Sequence, residues 1–464
     1  MTDGDDTDAA EDDGDEFERV VASVREWIDP DERERRRLDA ATETVVERAR
    51  EAIADLPVEA DAMQVGSTGR GTWISGDRDV DVFVRFPPDL DRERLEEYGL
   101  RVGHAVLPDG REEYAEHPYV TGTVDGVDVD LVPCYHLEST TDIRSAVDRT
   151  PFHARYLADR LDGDDAAQIR LCKAFFKGIG VYGSDLKTRG FGGYLTELLV
   201  FERGDFRSLT AAAADWHPPV RMDPGETGSD AEFDDPLVVI DPTDPGRNVA
   251  AVLVERNLAR FQHYARELLT DPREELFRPA EPDPLDPREV REYVRRRGTT
   301  PVAVRFEAPD LVEDQLYPQL RRTLSNLVDE LDGRGFDVLR SVTFAASDAV
   351  LFLDLAVAER PSVERHDGPP VHVRNHAEGF VRKYDDDPDV YGPFVEGDRY
   401  VVEREREFEA AADVLRSDAV FDVGIGPAVE RRLSEGYEVL TGESVAELCG
   451  AFGAELRRYF EPRP

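Results

Sequence analysis

The sequence predicts an α+β protein with several domains, and three observations support that prediction. The chain has 464 residues, which is more than a single hydrophobic core usually organises. Short strand-like runs are concentrated in two stretches, residues 62–133 and 300–357, and helical patterns occupy much of the remainder. A proline-rich stretch, FRPAEPDPLDP, lies between the middle and the last segment and has the composition of a linker.

The first segment begins with an acidic stretch. Residues 1–18 contain ten acidic residues and no basic one, which predicts a disordered N-terminus. After Pro30, DERERRRLDAATETVVERAREAI has the apolar spacing of an amphipathic helix. Four short strand-like runs follow it: AMQVGS, VDVFVRF, YVTGTV and VDVDLVP. One helix followed by short strands predicts a small mixed sheet, and we assign residues 19–149 to this domain.

The middle and last segments differ in their patterns. Residues 150–275 carry helical periodicity, for example in AQIRLCKAFFKGIGVYG and GYLTELLVFERG, which predicts a helical domain. Within residues 276–464, the strand TPVAVRFEA, the helix QLYPQLRRTLSNLVDELDGRG and the strands VLRSVTFAA and AVLFLDLAV follow one another in β-α-β-β order. That order is typical of RRM-like or ferredoxin-like folds, and we expect a helical tail after it.

The net charge of −44 is spread along the chain, because residues 1–18 hold only ten of its 101 acidic residues. Lysine is nearly absent: four of the 57 basic residues are lysine, and three of those four fall within residues 173–187. A dispersed acidic surface that is poor in lysine fits a protein working in molar salt, where electrostatic screening acts over about 3 Å. The acidic charge therefore does not exclude a nucleic-acid partner.

The sequence also predicts a cytoplasmic protein that does not span a membrane. Its longest apolar runs, such as YLTELLVF, are too short to cross a bilayer. The acidic N-terminus lacks the basic and apolar regions of a secretory signal. Three widely spaced cysteines (Cys134, Cys172 and Cys449) argue against a disulfide framework or a CxxC zinc site.

Aspartates at alternate positions mark two of the strands. Asp79 and Asp81 share one strand face, because successive side chains point to opposite faces, and Asp128 and Asp130 repeat the pattern. Adjacent carboxylates repel each other, and a hard cation with oxygen ligands, best Mg²⁺, would relieve that repulsion. If the strands are neighbours, the carboxylates suffice for two metal ions about 3.5–4 Å apart, as in phosphoryl transfer. The spacing alone does not choose between Asp128 and Asp130.

The stretch GSTGR, shortly before these aspartates, supplies groups that suit a phosphate. Gly66 lets the backbone approach a phosphate closely, and the Ser67 hydroxyl can hold its oxygens. Arg70 adds a guanidinium fork that fits a triphosphate. Each of these signals is weak in so acidic a chain, but their combination with two D-x-D strands predicts a nucleotide-transferring site.

These motifs resemble a known family. GSTGRGTWISGDRDVDVF together with VDVDLVPCY is similar to the nucleotidyltransferase superfamily that includes DNA polymerase β and poly(A) polymerases. AVDRTPFH, IRLCKAFFKGIGVYGSDLKTRGFGGYLTELL, DPTDPGRNVAA and NLARF resemble the archaeal, class I CCA-adding enzymes, the tRNA nucleotidyltransferases. The resemblance covers roughly residues 20–270 and implies a polymerase-β-like nucleotidyltransferase head over residues 19–149. It further implies that residues 150–275 bind nucleotide and that residues 276–464 bind tRNA.

The resemblance also implies roles for individual residues. The positions that match metal-binding catalytic carboxylates are Asp79, Asp81 and Asp130; Asp79 stands where the family often has glutamate. The positions that match triphosphate-binding residues are Ser67 and Arg70. The positions that match contacts to the incoming ATP or CTP are Thr150, His153, Lys173 and Tyr182. Arg247 matches an arginine that helps the family read the base.

The function implied by the resemblance is the addition and repair of the 3′-terminal CCA of tRNA from CTP and ATP. The reaction needs no nucleic-acid template, releases pyrophosphate and uses a two-metal Mg²⁺ site. The C-terminal part would hold the acceptor-side duplex of tRNA by its shape and phosphates, and the family favours a homodimer. Two alternatives stay open: a poly(A)-polymerase-like or oligoadenylate-synthesising nucleotidyltransferase, and a catalytically dead RNA-binding protein.

Overall fold

A computed structural model describes residues 6–77, 79–114 and 116–464 of the chain. The chain forms two compact units that divide between Ala280 and Glu281, inside the proline-rich stretch FRPAEPDPLDP. Among the described residues, no helix combines the length and the apolar character needed to cross a membrane.

The first unit contains a mixed sheet and a set of helices. In chain order its elements are α1 (Asp6–Ile28), α2 (Glu32–Ala54), β1 (Asp61–Val65), α3 (Gly66–Arg70), β2 (Asp79–Phe86), α4 (Arg92–Val106), β3 (Arg111–Tyr114), β4 (Pro118–Val124), β5 (Val127–Tyr135), α5 (Thr150–Ala158), α6 (Gly163–Gly178), α7 (Gly193–Arg203), α8 (Phe206–Ala214), β6 (Val220–Met222), β7 (Leu237–Asp241), β8 (Asp244–Asn248) and α9 (Glu255–Thr270).

The mixed sheet has the strand order β1-β2-β5-β4-β3, in which β2 and β5 are parallel neighbours. The amphipathic helix predicted after Pro30 is α2, which begins with a capping box between Asp31 and Glu34. The apolar faces of α2 and α4 pack with Val80 and Val82 of β2 in one core. The opposite sheet face holds a smaller cluster that includes Phe83 and, from α5, Ala154. The predicted alternation of side chains along β2 is therefore present.

The expectation of a disordered N-terminus over residues 1–18 is wrong for residues 6–18, which belong to α1, whereas residues 1–5 lie outside the described part of the chain. The physical reason is an apolar stripe toward the end of this helix. Phe17, Val21 and Val24 recur at helical spacing and are buried in the core formed by α6 to α9. The burial of this stripe outweighs the acidity of the preceding residues.

The expectation of a helical middle segment is incomplete. Residues 220–248 contain a small sheet with the strand order β6-β7-β8, and β7 is buried along its whole length. Its short apolar run, LVVID, has no period that separates a buried strand from a buried helix.

The second unit is built around a four-stranded antiparallel sheet. Its elements are α10 (Pro287–Arg297), β9 (Thr300–Glu307), α11 (Glu313–Gly333), β10 (Asp337–Ala345), β11 (Asp348–Val357), β12 (Val363–Pro370), α12 (Arg374–Tyr384), β13 (Val390–Glu396), β14 (Arg399–Glu405), α13 (Ala411–Arg416), α14 (Pro427–Glu435), β15 (Glu438–Thr441) and α15 (Cys449–Phe460). The predicted β-α-β-β order is present as β9, α11, β10 and β11, and the strand order is β10-β11-β9-β15. Side chains from the two sheet faces enter two separate cores, one with α11 and one with α10 and α15.

The expectation that only a helical tail follows these strands is wrong. A three-stranded sheet with the order β12-β14-β13 and the strand β15 lie between β11 and the terminal helix α15. The sequence pattern did not predict the β12–β14 sheet because few of its side chains are buried and they show no apolar alternation. In β14 only Val401 and Val402 are buried.

Candidate active site

The two strands that carry the predicted metal-binding aspartates are neighbours in the sheet. In the parallel register of β2 and β5, Asp79 lies opposite Asp128 and Asp81 lies opposite Asp130. Asp81 and Asp130 are partly buried, whereas Asp79 and Asp128 are exposed. The four carboxylates therefore line one face at the end of two adjacent strands, which is the arrangement predicted for neighbouring strands.

Burial and mutual repulsion disfavour negative charge on these aspartates. Burial raises the pKa of Asp81 to about 6, and the charges of Asp130 and Asp79 add to the effect. Burial also raises the pKa of Asp79, followed by the charges of Asp77 and Asp128. A bound cation would favour the ionised forms of both groups.

Gly66 makes room for Asp81. Its φ of +73° lies in the left-handed region, and a Cβ atom added there would come within 2.1 Å of Asp81 Oδ2. Any other residue at this position would force the Asp81 carboxylate to move. The sequence reasoning gave Gly66 a role beside a phosphate, and the structure adds this steric role beside the aspartate.

The donor set suits a hard cation such as Mg²⁺, because it consists of carboxylate oxygens whose charges oppose one another. Across residues 6–77, 79–114 and 116–464, no group of three or more His, Cys, Asp or Glu side chains is already arranged to hold a metal ion. The fit therefore rests on the paired register and on the raised pKa of Asp81.

A buried carboxylate on α7 joins two of the predicted nucleotide-binding residues. Glu197 has no exposed surface and accepts two hydrogen bonds from Arg70, with Nε at 3.1 Å and Nη2 at 2.8 Å. It also accepts a 2.6 Å bond from the Thr72 hydroxyl, and Lys173 Nζ lies 3.5 Å from it. Burial alone would raise the pKa of Glu197, but Lys173 and Arg70 hold it below its ordinary value. Arg70 also lowers the pKa of Asp81, so this network borders the aspartates.

One face of α6 holds the loop that leads to β2. Arg170 donates to the Gly71 carbonyl at 2.6 Å, and Lys173, which is only 2% exposed, donates to the Thr72 carbonyl at 3.0 Å. Lys177 donates to Asp77 at 3.0 Å, at the other end of the loop. Two of the four lysines of this chain thus hold the segment that precedes Asp79 and Asp81.

A second buried carboxylate joins another predicted pair. Asp241, which has no exposed surface, accepts hydrogen bonds from His153 Nε2 at 2.8 Å and from Arg247 Nη1 at 2.9 Å. The backbone N–H and hydroxyl of Thr243 donate to its other oxygen. Burial opposes ionisation, but these donors hold the pKa of Asp241 well below its ordinary range. The His153 ring stacks on Tyr194 with a centroid distance of 3.8 Å. His153 and Arg247 are therefore held as one unit.

The remaining predicted residues lie on elements next to these networks. Ser67 is on α3 and Thr150 begins α5. Tyr182 follows α6 and forms a bridge with Phe191. Burial raises the pKa of Tyr182, followed by the charges of Glu197 and Asp77, so this tyrosine lies near the buried network.

Glu197 and Asp241 were not among the predicted site residues. The available signal was a single acidic residue inside an apolar run, as in GYLTELLVF and LVVID. An acid at a core position is expected to be paired with a base, which could have directed attention to both residues.

Comparisons with known proteins cover nearly the whole chain. Three family profiles match it: "Nucleotidyltransferase domain" over residues 46–153, "tRNA nucleotidyltransferase, second domain" over residues 167–278 and "CCA-adding enzyme, C-terminal domain" over residues 297–442. The chain is 60% identical to the CCA-adding enzyme of Haloarcula marismortui, across 97% of this chain and 100% of that protein. It is 59% identical to the CCA-adding enzyme of Halorubrum lacusprofundi, with the same coverage, and 38% identical to that of Methanosarcina barkeri, across 93% and 95%.

The matches run through both compact units and include the strands with the paired aspartates as well as the segments that hold Glu197 and Asp241. Identity of this degree over almost the full length of each relative extends beyond the nucleotidyltransferase domain alone. The chain therefore belongs to the family of CCA-adding enzymes, the tRNA nucleotidyltransferases.

Proposed function

We propose that this protein adds and repairs the 3′-terminal CCA of tRNA from CTP and ATP, without a nucleic-acid template and with release of pyrophosphate. The observation that carries the proposal is the parallel register that sets Asp81 opposite Asp130, beside Gly66. Family membership directs this nucleotidyl-transfer chemistry to tRNA. A tRNA substrate agrees with the cytoplasmic location expected from the sequence.

Asp79, Asp81 and Asp130 would hold two Mg²⁺ ions. When bound, Mg²⁺ lowers the pKa of the attacking 3′-hydroxyl and stabilises charge on the triphosphate and the departing pyrophosphate. The aspartates themselves contribute a fixed, paired array, because the β2–β5 register sets their spacing and Gly66 leaves space for the Asp81 carboxylate.

The surrounding residues would bind and orient the nucleotide. We assign Ser67 and Arg70 to the triphosphate; Glu197 binds Nε and Nη2 of Arg70 and thereby fixes the plane of its guanidinium group. Further contacts to ATP or CTP are assigned to Thr150, His153, Lys173 and Tyr182. Since Lys173 is buried against Thr72 and Glu197, it would act mainly by holding this loop and carboxylate in place.

Arg247 is assigned to the nucleobase. Asp241 binds one of its terminal nitrogens, and the Arg247 side chain is still 36% exposed. A fixed donor can discriminate between bases, because a base with the wrong edge leaves buried polar groups unpaired.

The division of labour between domains is also part of the proposal. Residues 19–149 would catalyse the polymerase-β-like nucleotidyl transfer. Residues 150–275 would bind the nucleotide, and residues 276–464 would bind the acceptor-side duplex of tRNA. The strand order of β9, β10, β11 and β15 supports an RRM-like or ferredoxin-like label for the last domain. Its sheet aromatics Phe344 and Phe352 are buried in the core that contains α15, so the RNA would bind elsewhere than on this face. A homodimer stays a prediction from the family.

The test supplies tRNA that lacks its last three residues, Mg²⁺, and CTP or ATP singly or together. We expect CTP alone to add two residues, ATP alone to add little, and both nucleotides to add three residues and then stop. A long ladder from ATP alone would favour a poly(A)-polymerase-like or oligoadenylate-synthesising enzyme. Binding of tRNA without any pyrophosphate release would favour a catalytically dead RNA-binding protein.

A further inference from the structure

Three arginines of the first unit lie together beside the loop between α6 and α7. Arg256 and Arg260 are one turn apart on α9, so their side chains share a helix face. Arg189 lies at the end of the loop, and its carbonyl accepts hydrogen bonds from Val254 N at 3.2 Å and Asn257 Nδ2 at 3.0 Å, at the start of α9. We call Arg189, Arg256 and Arg260 the arginine cluster.

The arginine cluster is not neutralised by carboxylates. In the part of the chain that the structure describes, none of its three side chains forms an ion pair, although the chain has 101 acidic residues. Arg260 Nε is buried without a hydrogen-bond partner among those residues, and its guanidinium carbon lies 5.9 Å from the centroid of the Tyr264 ring. Arg256 is exposed to solvent, but partial desolvation lowers its pKa, and the charges of Arg260 and Arg189 lower it further.

Like charges in one place repel each other, and an anion bound between them would relieve that repulsion. Guanidinium forks match the oxygens of a phosphate, and in a molecule with a net charge of −44 a positive site of this kind is unusual. The loop that ends at Arg189 also carries Tyr182, one of the proposed nucleotide contacts. A strand whose 3′ end reaches the active site would bring backbone phosphates into this region.

We propose that the arginine cluster binds the phosphodiester backbone of the RNA substrate. This inference rests on the proposed function for the identity of the RNA. The arginine cluster would be a second RNA-binding site, located in the first unit, in addition to the C-terminal part that is proposed to bind the tRNA duplex.

The test compares Arg256→Gln, the double variant Arg256→Gln/Arg260→Gln, and Arg189→Asn, which suits the φ of +52° at that position. Arg50→Gln is the matched control, because Arg50 is an exposed arginine on α2 without an ion pair in the described part of the chain. For each variant we would measure KM for tRNA lacking CCA, KM for CTP, and binding of an acceptor-stem RNA by fluorescence anisotropy. Melting temperature would verify folding.

We expect each single cluster variant to raise KM for the RNA and the dissociation constant about tenfold, the loss of roughly one charge-assisted hydrogen bond. The salt dependence of binding should weaken by about 0.7–0.9 in logarithmic slope for each lost phosphate contact. KM for CTP should stay within about twofold, and the control should match the unmodified protein.

If the double variant folds and binds the RNA normally, the proposal is wrong. The arginine cluster would then serve the packing of the fold or bind a protein partner. A selective change in inhibition by pyrophosphate would also overturn it, because the cluster would then bind the reaction product. The anisotropy measurement needs no catalysis. If the unmodified protein added no nucleotides, the proposed function would fail while RNA binding by the cluster could still be read.

Discussion

The surroundings of Asp81 disfavour the negative charge of its carboxylate. Three neighbours set its environment: Gly66 leaves room for the carboxylate, Asp130 faces it across the strand pair, and Arg70 partly offsets its charge. In a protein without a cation to bind, substitution of Asp81 by an uncharged residue would relieve this repulsion. A partly buried carboxylate with a raised pKa and like-charged neighbours is expected where function, rather than stability, determines the residue.

We expect Asp81→Asn to reduce nucleotide addition by at least about a thousandfold, since an amide cannot replace a charged metal ligand. The same change at Asp130 should be far more harmful than Asp128→Asn. Asp128 is the exposed member of its pair and already accepts a hydrogen bond from Thr123 at 3.2 Å. Initial rates with saturating CTP measure both effects, and circular dichroism verifies folding. Greater harm at Asp128 would mean that the wrong carboxylate was assigned to the metal.

The raised pKa of Asp81 predicts that Asp81→Asn stabilises the metal-free protein in a pH-dependent way. The folded pKa of about 6 lies above the ordinary value of 3.8, so the stability gained from protonation is present below about pH 4 and is lost as the pH rises through 6. At about pH 8 the variant should be more stable by about 3 kcal/mol, and near pH 4 the difference should vanish. Urea unfolding in molar KCl and EDTA measures this difference. Equal stability of the two proteins at pH 8 would contradict it.

Sequence reasoning proposed candidate site residues, but it did not find the buried acids that hold several of them. D-x-D spacing was sufficient to predict that Asp79 and Asp81 share a strand face, because strand alternation is local, and the G-S turn drew attention to Gly66, which lies against Asp81. Glu197 and Asp241 contact partners more than eighty residues away in sequence. Only the fold brings these distant pairs together, so no local pattern could reveal that Glu197 binds Arg70 or that Asp241 binds His153; Arg247, six residues from Asp241, is the exception.

At the scale of elements, α6 and α7 fix the loop before β2. Lys173 and Lys177 could be recognised as unusual because lysine is rare in this chain, but their bonds to Thr72 and Asp77 required the structure. The opposite holds for α1: its apolar stripe could be read from the sequence, but the surrounding acids masked it. The β12–β14 sheet has no regular apolar alternation, since most of its side chains are half-buried or exposed.

We expect Glu197→Gln to lower the free energy of unfolding by about 3–5 kcal/mol, because it leaves Arg70 and Lys173 without their shared buried counter-charge. Glu202→Gln is the matched control, since Glu202 is exposed on the same helix and should change stability by less than about 0.5 kcal/mol. Chemical denaturation in molar salt measures both variants. If Glu197→Gln changed the free energy of unfolding as little as its control does, the charge of Glu197 would not be what holds Arg70 and Lys173 in place.

At the scale of the whole molecule, the net charge of −44 determines the salt concentration that the folded protein needs. The chain has 101 acidic and 57 basic residues, and many of its arginines already form ion pairs on the surface. The remaining excess of carboxylates repels itself in dilute buffer. Salt has two opposite effects on this protein. It stabilises the fold by screening the repulsion between surface carboxylates, and it weakens the contacts between the protein and phosphates.

We expect the requirement of the fold to dominate, so that melting temperature and nucleotide addition both rise between about 0.1 M and 2 M KCl, as the screening length falls from about 10 Å to less than 3 Å. An increase in melting temperature of at least about 10 °C is expected, because self-repulsion is removed from the folded state throughout its surface. Sucrose at equal osmolality is the control, since it favours compact states without screening charge. An equal gain in sucrose would assign the effect to solvent exclusion, and full activity with an unchanged melting temperature at 0.1 M KCl would contradict it. Activity could instead reach its maximum at a lower KCl concentration than the melting temperature does. The fall in activity above that maximum would then measure the phosphate contacts, because the logarithm of the binding constant for RNA decreases linearly with the logarithm of the salt concentration.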